Sequence, residues 1–268
     1  MPKFCANLSL LYGEHGFLDR FAAAAGDGFL GVEYLFPYDF PQEALKERLA
    51  RHGLVQVLHN LPAGDWAGGE RGIGALPGRE GEFQDGVGRA IAYATALGCT
   101  QVNCLAGVPP EGADPERVRR TLVANLRFAA AELEKAGIRL LLEPVNTFDI
   151  PGFFVSRVGQ AAELIDAVGS TNLFLQYDFY HQQRSEGELA AAYRRHKDRI
   201  AHVQIADNPG RNEPGTGEIR YPFLFDLLDA EGYAGWVGCE YKPKGRTTGE
   251  GLGWFEPYRG GGGGGGRA

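Results

Sequence analysis

The chain lacks the sequence signals of several large protein classes. It has no G-x-G-x-x-G turn after its first apolar segment, no P-loop and no H-E-x-x-H motif, so dinucleotide binding, P-loop chemistry and zincin-type proteolysis have no support. No apolar run approaches the roughly 18 residues of a membrane span. The first residues lack the apolar core and cleavage site of a secretory signal. We therefore expect a cytoplasmic protein that does not associate with a membrane.

An excess of basic residues is also missing. The formal net charge is -7 and the pI about 5.5, which disfavours nucleic acid and acidic membrane surfaces as partners and favours a small diffusible substrate. The chain contains four cysteines and no C-x-x-C pair, which is typical of buried thiols in a reducing compartment. They are Cys5, Cys99, Cys104 and Cys239. The sequence leaves homo-oligomer formation open.

What the chain does contain is a regular alternation of short apolar segments and longer amphipathic ones. The 268 residues, 44% of them hydrophobic, suit one α/β barrel of about 250 residues. Eight strand-then-helix units predict a single-domain (β/α)8 TIM barrel over 1–259, followed by a flexible glycine-rich tail over 260–268. The predicted strands are Lys3–Leu8, Gly31–Leu35, Leu54–His59, Thr100–Leu105, Arg139–Glu143, Leu173–Asp178, Ala201–Ala206 and Trp236–Glu240.

Helix boundary signals accompany this alternation. Asp114 is a predicted N-cap with Pro115 behind it, and Gly137 is the corresponding stop. Two Gly- and Pro-rich loops follow strand ends and are predicted to wall the mouth of the barrel. The predicted helices are Pro41–Arg51, Phe83–Leu97 and Asp114–Ala136, and the loops are Asn60–Arg79 and Asp207–Arg220.

Oxygen-bearing side chains occur at the ends of strands in the second half of the chain. They are Glu143, Asp178, Gln204 and Glu240. All strand ends of a parallel barrel meet at one face, where close carboxylates repel by up to about 4 kcal/mol per pair at a dielectric of 20. A divalent cation relieves this repulsion, and hard oxygen donors favour Mg²⁺ or Mn²⁺ over Zn²⁺. Sequence does not separate the two ions.

Other polar side chains near strand ends also receive predicted roles. Glu33 is predicted to be structural and His202 to belong to the core. His59 and His181 are predicted to contact substrate. A substrate carboxylate would need a cationic or hydrogen-bonding partner, for which the candidates in or next to mouth loops are His59, Arg71, Arg211 and Lys242.

The motifs that carry these residues resemble those of the hydroxypyruvate isomerase family, a group of xylose isomerase-like barrels. The resemblance runs from Phe4 to Arg259 and rests on the segments GVEYLFPYDF, HNLPAGDWAGGERGIGALPGRE, LLLEPVNTFDIPGFF, LQYDFYHQQRSEGEL, HVQIADNPGRNEPGTGEI and GWVGCEYKPKG. It implies a TIM fold and the interconversion of hydroxypyruvate and tartronate semialdehyde. A sister group with a similar C-E-Y-K-P region acts on 2-oxo-tetronates, whereas the loop containing Arg71 resembles the hydroxypyruvate group.

The resemblance also implies residue roles. Glu143, Asp178, Gln204 and Glu240 occupy the family's metal-ligand positions, and Glu143 and Glu240 match the pair assigned to proton transfer. The chemistry implied is removal of the C3 proton, an enediolate, and proton return at C2, with the cation as Lewis acid.

Two other classes of function stay open from sequence. A barrel hydrolase would use two of the carboxylates on a glycosidic or phosphodiester bond. A sugar-acid binder would keep the fold without turnover. Activity that survives a chelator would favour a glycosidase, and binding without turnover in the presence of metal would favour the binder.

Overall fold

Eight parallel strands close into a barrel in the computed structural model, which describes residues 1–259. Each strand pairs with the next in sequence, and β8 pairs with β1. The predicted tail over 260–268 lies outside the described residues. The strands are β1 Lys3–Asn7, β2 Gly31–Glu33, β3 Val55–Asn60, β4 Gln101–Cys104, β5 Arg139–Leu142, β6 Leu173–Asp178, β7 Ile200–Ile205 and β8 Trp236–Cys239.

Helices surround this barrel, as predicted. They are α1 Arg20–Gly26, α2 Gln42–His52, α3 Glu80–Leu97, α4 Pro115–Lys135, α5 Val158–Val168, α6 Phe179–Ser185, α7 Leu189–His196 and α8 Tyr221–Ala230. Short 3₁₀ segments cover Phe17–Asp19, Lys197–Arg199 and Gly249–Tyr258. In the described part of the chain, no helix is both long and apolar enough to cross a bilayer.

The boundary signals read from sequence act as expected in α4. Asp114 caps the helix because its side chain accepts a hydrogen bond of 3.1 Å from the backbone N–H of Glu116. Pro115 fills the first turn, where a missing N–H costs nothing. After the helix, Gly137 adopts a φ of 71°, a left-handed conformation that glycine adopts without steric cost. In contrast, α3 begins at Glu80, three residues before the predicted start.

The interior of the barrel divides into an apolar and a polar part. A small apolar cluster, drawn mainly from the first halves of the strands, fills one end of the lumen. It comprises Cys5, Val57, Leu58, Leu141 and Ala201, packed by Phe174 and Trp236. Further along the strands the inward side chains are polar and buried, and they lead to the C-terminal mouth. The fold therefore places its chemistry at the end where parallel barrels carry their active sites.

Candidate active site

The four predicted metal ligands lie at the C-terminal ends of their strands and are buried. Relative exposures are 5% for Glu143, 3% for Asp178, 2% for Gln204 and 6% for Glu240. Glu143 and Glu240 follow directly after β5 and β8, one residue beyond the observed strand ends, and both line a cavity of about 480 Å³. Asp178 and Gln204 are neighbours in the β6–β7 register and lie below that lining.

Asp178 has one carboxylate oxygen engaged and one free. Its Oδ1 accepts hydrogen bonds from the backbone N–H groups of Tyr180 (2.7 Å) and His181 (3.4 Å), which caps α6. Its Oδ2 is buried and has no hydrogen-bond partner among the described residues. Such an atom is costly unless something else binds it. Acidic oxygens of Asp178 and Glu143 lie within 4.8 Å of each other, the spacing needed to share one ion.

Negative charge exceeds positive charge among the buried side chains at the mouth of the barrel. Burial, followed by the charges of Glu240 and Asp178, raises the pKa of Glu143 well above its usual value. Burial also raises the pKa of Glu240, although Arg211 lowers it, and brings the pKa of Asp178 to about 6. Three carboxylates thus face a single adjacent guanidinium. This donor set fits a divalent cation.

His181 presents a hydrogen-bond donor to the carboxylates of Glu143 and Asp178. Its Nδ1 accepts from the backbone N–H of Asn146 at 3.4 Å and faces Nδ2 of Asn146 at 2.6 Å. The amide cannot be reversed, because Oδ1 of Asn146 already accepts from the backbone N–H groups of Phe148 and Asp149. Burial, with Arg211 and Arg184 nearby, lowers the pKa of His181 well below its usual value.

The imidazole of His181 is therefore neutral and carries its proton on Nε2. That nitrogen lies 3.9 Å from Oε1 of Glu143 and 3.8 Å from Oδ2 of Asp178, so these contacts are not ion pairs. An N–H group donates a hydrogen bond but offers no lone pair to a cation. In this tautomer His181 presents an N–H group, and not a lone pair, to Glu143 and Asp178.

Arg211 is already occupied by carboxylates of the protein. Its Nη2 donates to Oε1 of Glu240 at 2.8 Å, and its Nη1 to Oδ2 of Asp149 at 3.3 Å. The guanidinium also stacks over Tyr180, 5.3 Å from the ring centroid. Arg211 therefore balances charge in the site, and only part of its hydrogen-bonding capacity remains for a substrate.

Arg71 and Lys242 also line the cavity, and neither forms an ion pair within residues 1–259. Arg71 stacks over the ring of Trp66 at 4.4 Å. Its Nη1 donates to the backbone carbonyls of Trp66 (3.1 Å) and Glu70 (2.7 Å), which hold the guanidinium in place without neutralising it. These two side chains are cations of the cavity lining that form no ion pair with a carboxylate among the described residues.

The expectation for His59 is not supported by its placement. The side chain is fully buried, lies edge-on to Tyr38 with centroids 6.0 Å apart, and is absent from the cavity lining, where Asn60 stands instead. Side chains alternate along a strand, so a residue adjacent to an inward one points towards the helices. Burial lowers the pKa of His59 to about 4, against a weak contribution from the backbone of Ala90.

Sequence reasoning missed several polar residues that support the site. Asn103 donates to Oε2 of Glu143 at 3.2 Å and to Oδ1 of Asn60 at 3.1 Å, while Asn146 orients His181. A signal for Asn103 was present, because polar residues recur every second position in strands that are otherwise apolar. The pattern Gln101 and Asn103 in β4 marks the lumen face.

The chain matches the model of a known protein family over most of its length. The family described as xylose isomerase-like TIM barrel matches residues 21–258. The chain belongs to this family. The barrel predicted from sequence is confirmed, and so is the family resemblance.

Individual xylose isomerase-like relatives resemble the chain along nearly its whole length. It is 57% identical over 259 residues to hydroxypyruvate isomerase of Escherichia coli (strain K12), covering 97% of this chain and 100% of the relative. It is 49% identical to 2-oxo-tetronate isomerase of Cupriavidus necator, with 97% and 100% covered. Among solved structures, AP endonuclease, family 2 from Brucella melitensis superposes with a TM-score of 0.94 at 47% identity, covering 97% and 100%.

Proposed function

We propose that this chain is a hydroxypyruvate isomerase, which interconverts hydroxypyruvate and tartronate semialdehyde by proton transfer through an enediolate. The observation that carries the proposal is the set of three buried carboxylates, one with an unpartnered oxygen, at the mouth of the barrel. The 57% identity to the Escherichia coli hydroxypyruvate isomerase supports the choice of substrate.

Glu143, Asp178, Gln204 and Glu240 would hold the cation. Asp178 offers its free Oδ2, and the other three residues offer oxygens at neighbouring strand ends. When bound, the cation would supply positive charge that stabilises the negative charge of the enediolate. We favour Mg²⁺ or Mn²⁺ because every proposed donor is a hard oxygen.

Glu143 and Glu240 would move the proton. One carboxylate takes the proton from C3 of hydroxypyruvate, the C3–H electron pair forms the C2–C3 double bond, and the π pair of the C2 carbonyl moves to O2. The other residue then returns a proton to C2, where the C2–C3 π pair binds it as O3 forms the new carbonyl. The hydroxyl proton of O3 passes to O2, so the product is the aldehyde. Each glutamate has one oxygen held by the protein, Glu143 by Asn103 and Glu240 by Arg211, which fixes its orientation.

The remaining groups of the cavity would bind and orient the substrate. The Nε2–H of His181 points at the position where a substrate oxygen would meet Glu143 and Asp178. Arg71 and Lys242 carry positive charges that no carboxylate of the described chain neutralises, and we assign the substrate carboxylate to them. Arg211 contributes mainly to the charge balance of Glu240.

A 2-oxo-tetronate isomerase is the second candidate, since relatives of that name are 49% and 44% identical to the chain. The cavity of about 480 Å³ admits either acid, so its size does not separate them. We also place the activity in the cytoplasm, because all four cysteines are free and buried, as suits a reducing compartment.

The deciding experiment is a turnover assay on hydroxypyruvate and 2-oxo-tetronate side by side, with chelator-stripped protein and protein reloaded with Mg²⁺ or Mn²⁺. We expect activity to require metal and kcat/KM to be higher for hydroxypyruvate. A higher kcat/KM for 2-oxo-tetronate would select the second candidate. Full activity after stripping, or metal and substrate binding without turnover, would overturn the proposal.

A further inference from the structure

Directly below the proposed metal site, the barrel contains a layer of polar side chains that the proposed reaction does not use. We call it the lumen layer, and it consists of Asn7, Glu33, Gln101, Gln176 and His202. All five are at most 3% exposed. Bulky branched residues usually fill this part of a TIM barrel, so a buried carboxylate and imidazole here need a specific reason.

Glu33 occupies a space that β8 leaves open. Gly238 on β8 lies in register with Gln204 on β7, two residues before Glu240, which follows the end of β8. A Cβ atom at position 238 would overlap both carboxylate oxygens of Glu33. The missing side chain therefore admits the carboxylate to the lumen beneath Glu240.

The carboxylate of Glu33 fixes the amide of Gln204. Oε1 of Glu33 accepts a hydrogen bond of 2.8 Å from Nε2 of Gln204. Because an ionised carboxylate only accepts hydrogen bonds, the amide nitrogen must face Glu33 and the carbonyl oxygen must face away. That oxygen lies towards β6, where it accepts from Nε2 of Gln176 at 2.6 Å, so Gln176 supports the same orientation of the amide. The side chain of Gln204 also forms a hydrogen bond with Glu240. Asp178 follows Gln176 by two residues and pairs with Gln204 in the ladder.

The second carboxylate oxygen of Glu33 is hydrogen-bonded to His202. Oε2 of Glu33 lies 2.7 Å from Nε2 of His202, and Nδ1 of His202 lies 3.3 Å from Nε2 of Gln101. Asn7 also donates to Oε1 of Glu33 at 3.0 Å. Although Cys5, Glu33 and His202 are close enough to share an ion, these hydrogen bonds already satisfy the carboxylate, so we read the cluster as a support.

We propose that Glu33 is a positioning residue of the metal site, which holds the amide of Gln204 so that its carbonyl oxygen, and not its NH₂ group, faces the cation. The inference rests on the proposed function, because it assumes that Gln204 is a ligand. A reversed amide would place partial positive charge against the ion, and partners that orient metal ligands typically change metal affinity by 10- to 100-fold.

The test is a double-mutant cycle on Mn²⁺ affinity, measured by electron paramagnetic resonance on stripped protein. We expect Glu33→Leu to weaken Mn²⁺ binding by about 10- to 100-fold. Glu33→Gln should weaken Mn²⁺ binding less than Glu33→Leu does, because the amide oxygen of the new side chain still accepts a hydrogen bond from Gln204. In a Gln204→Leu background, neither substitution should weaken binding further. Asn125→Leu, which removes a buried amide on α4 that donates to the backbone carbonyl of Gly74, should leave the affinity unchanged.

Equal losses from the Glu33 substitutions in both backgrounds would overturn the inference, because Glu33 would then act independently of Gln204. A loss of Mn²⁺ affinity as large in Asn125→Leu would also overturn it, by showing that removal of any buried amide is sufficient. If Glu33→Leu fails to fold, the isosteric Glu33→Gln carries the same cycle. Failure of the wild-type protein to bind Mn²⁺ would instead contradict the proposed function.

Discussion

Arg211 joins Glu240 to Asp149 across the mouth of the barrel. Its guanidinium donates to Oε1 of Glu240 at 2.8 Å and to Oδ2 of Asp149 at 3.3 Å. Glu240 follows β8 and Asp149 lies in the loop after β5, so this one side chain ties two remote segments together. The same side chain also supplies the positive charge that opposes the rise in the pKa of Glu240.

Removal of this arginine should therefore destabilise the metal-free protein. For Arg211→Met we expect the free energy of unfolding to fall by about 3 kcal/mol, since breaking a buried pair leaves a buried charge unpaired. Urea unfolding of stripped protein measures this. The control is Arg194→Met, which breaks an exposed pair with Glu231 and should cost under about 1 kcal/mol. Equal losses in the free energy of unfolding for the two variants would show that Arg211 does not neutralise the buried carboxylates of the site.

The two glutamates should be required for proton transfer but not for folding. We expect Glu143→Gln and Glu240→Gln each to lower kcat on hydroxypyruvate at least about 100-fold, the lower bound typical of a positioned acid or base. Glu116→Gln, on the exposed face of α4, is the control and should keep wild-type kcat.

Isotope incorporation adds a second readout for the same pair. In deuterated water the wild-type product should carry deuterium at C2, because a carboxylic acid that exchanges with solvent returns the proton. Complete retention of the substrate hydrogen at C2 would indicate a hydride shift instead and would remove the acid-base role from both glutamates.

The barrel and its strand ends were predictable because their signals are local. Continuous apolar runs marked the strands, and β6 has the predicted bounds, Leu173–Asp178. Closure of a parallel barrel then brings strand ends together whatever their separation in sequence. That is why Glu143, Asp178, Gln204 and Glu240 could be grouped without any knowledge of the loops.

The error at His59 has a different origin. The sequence placed the end of β3 at His59, but the strand continues to Asn60, and Asn60 is the residue that lines the cavity. The engagement of Arg211 could not be predicted either, because it depends on how two loops meet in space.

The free cations of the cavity wall should set the affinity for the substrate carboxylate. We expect Arg71→Ala and Lys242→Ala each to raise KM for hydroxypyruvate by roughly 10- to 100-fold, since a hydrogen bond to a charged group contributes about 1.5–3 kcal/mol. The change in kcat should be smaller. Steady-state kinetics measures both constants, and Arg119→Ala, exposed on α4, is the control. An unchanged KM in one of the variants would remove that residue from the carboxylate site.

His59 should make the protein sensitive to acid through its burial, independently of catalysis. Its folded pKa of about 4 lies below the unfolded value of 6.5. Between these values the unfolded chain binds a proton and the folded chain does not, so stability falls as the pH falls through that window. At 1.36 kcal/mol per unit, the loss from this one group is about 3 kcal/mol.

Substitutions that remove the titrating ring isolate this contribution, since all other groups stay the same. We expect the free energy of unfolding of the wild type, minus that of His59→Phe, to decrease steadily from pH 6.5 to pH 4 and to level off below it. His59→Asn should give the same pH dependence, although its absolute stability differs because the contact with Tyr38 is lost. A difference that does not change with pH would mean that the folded protein protonates His59 as readily as the unfolded chain does, and hence that the ring is not sealed from water.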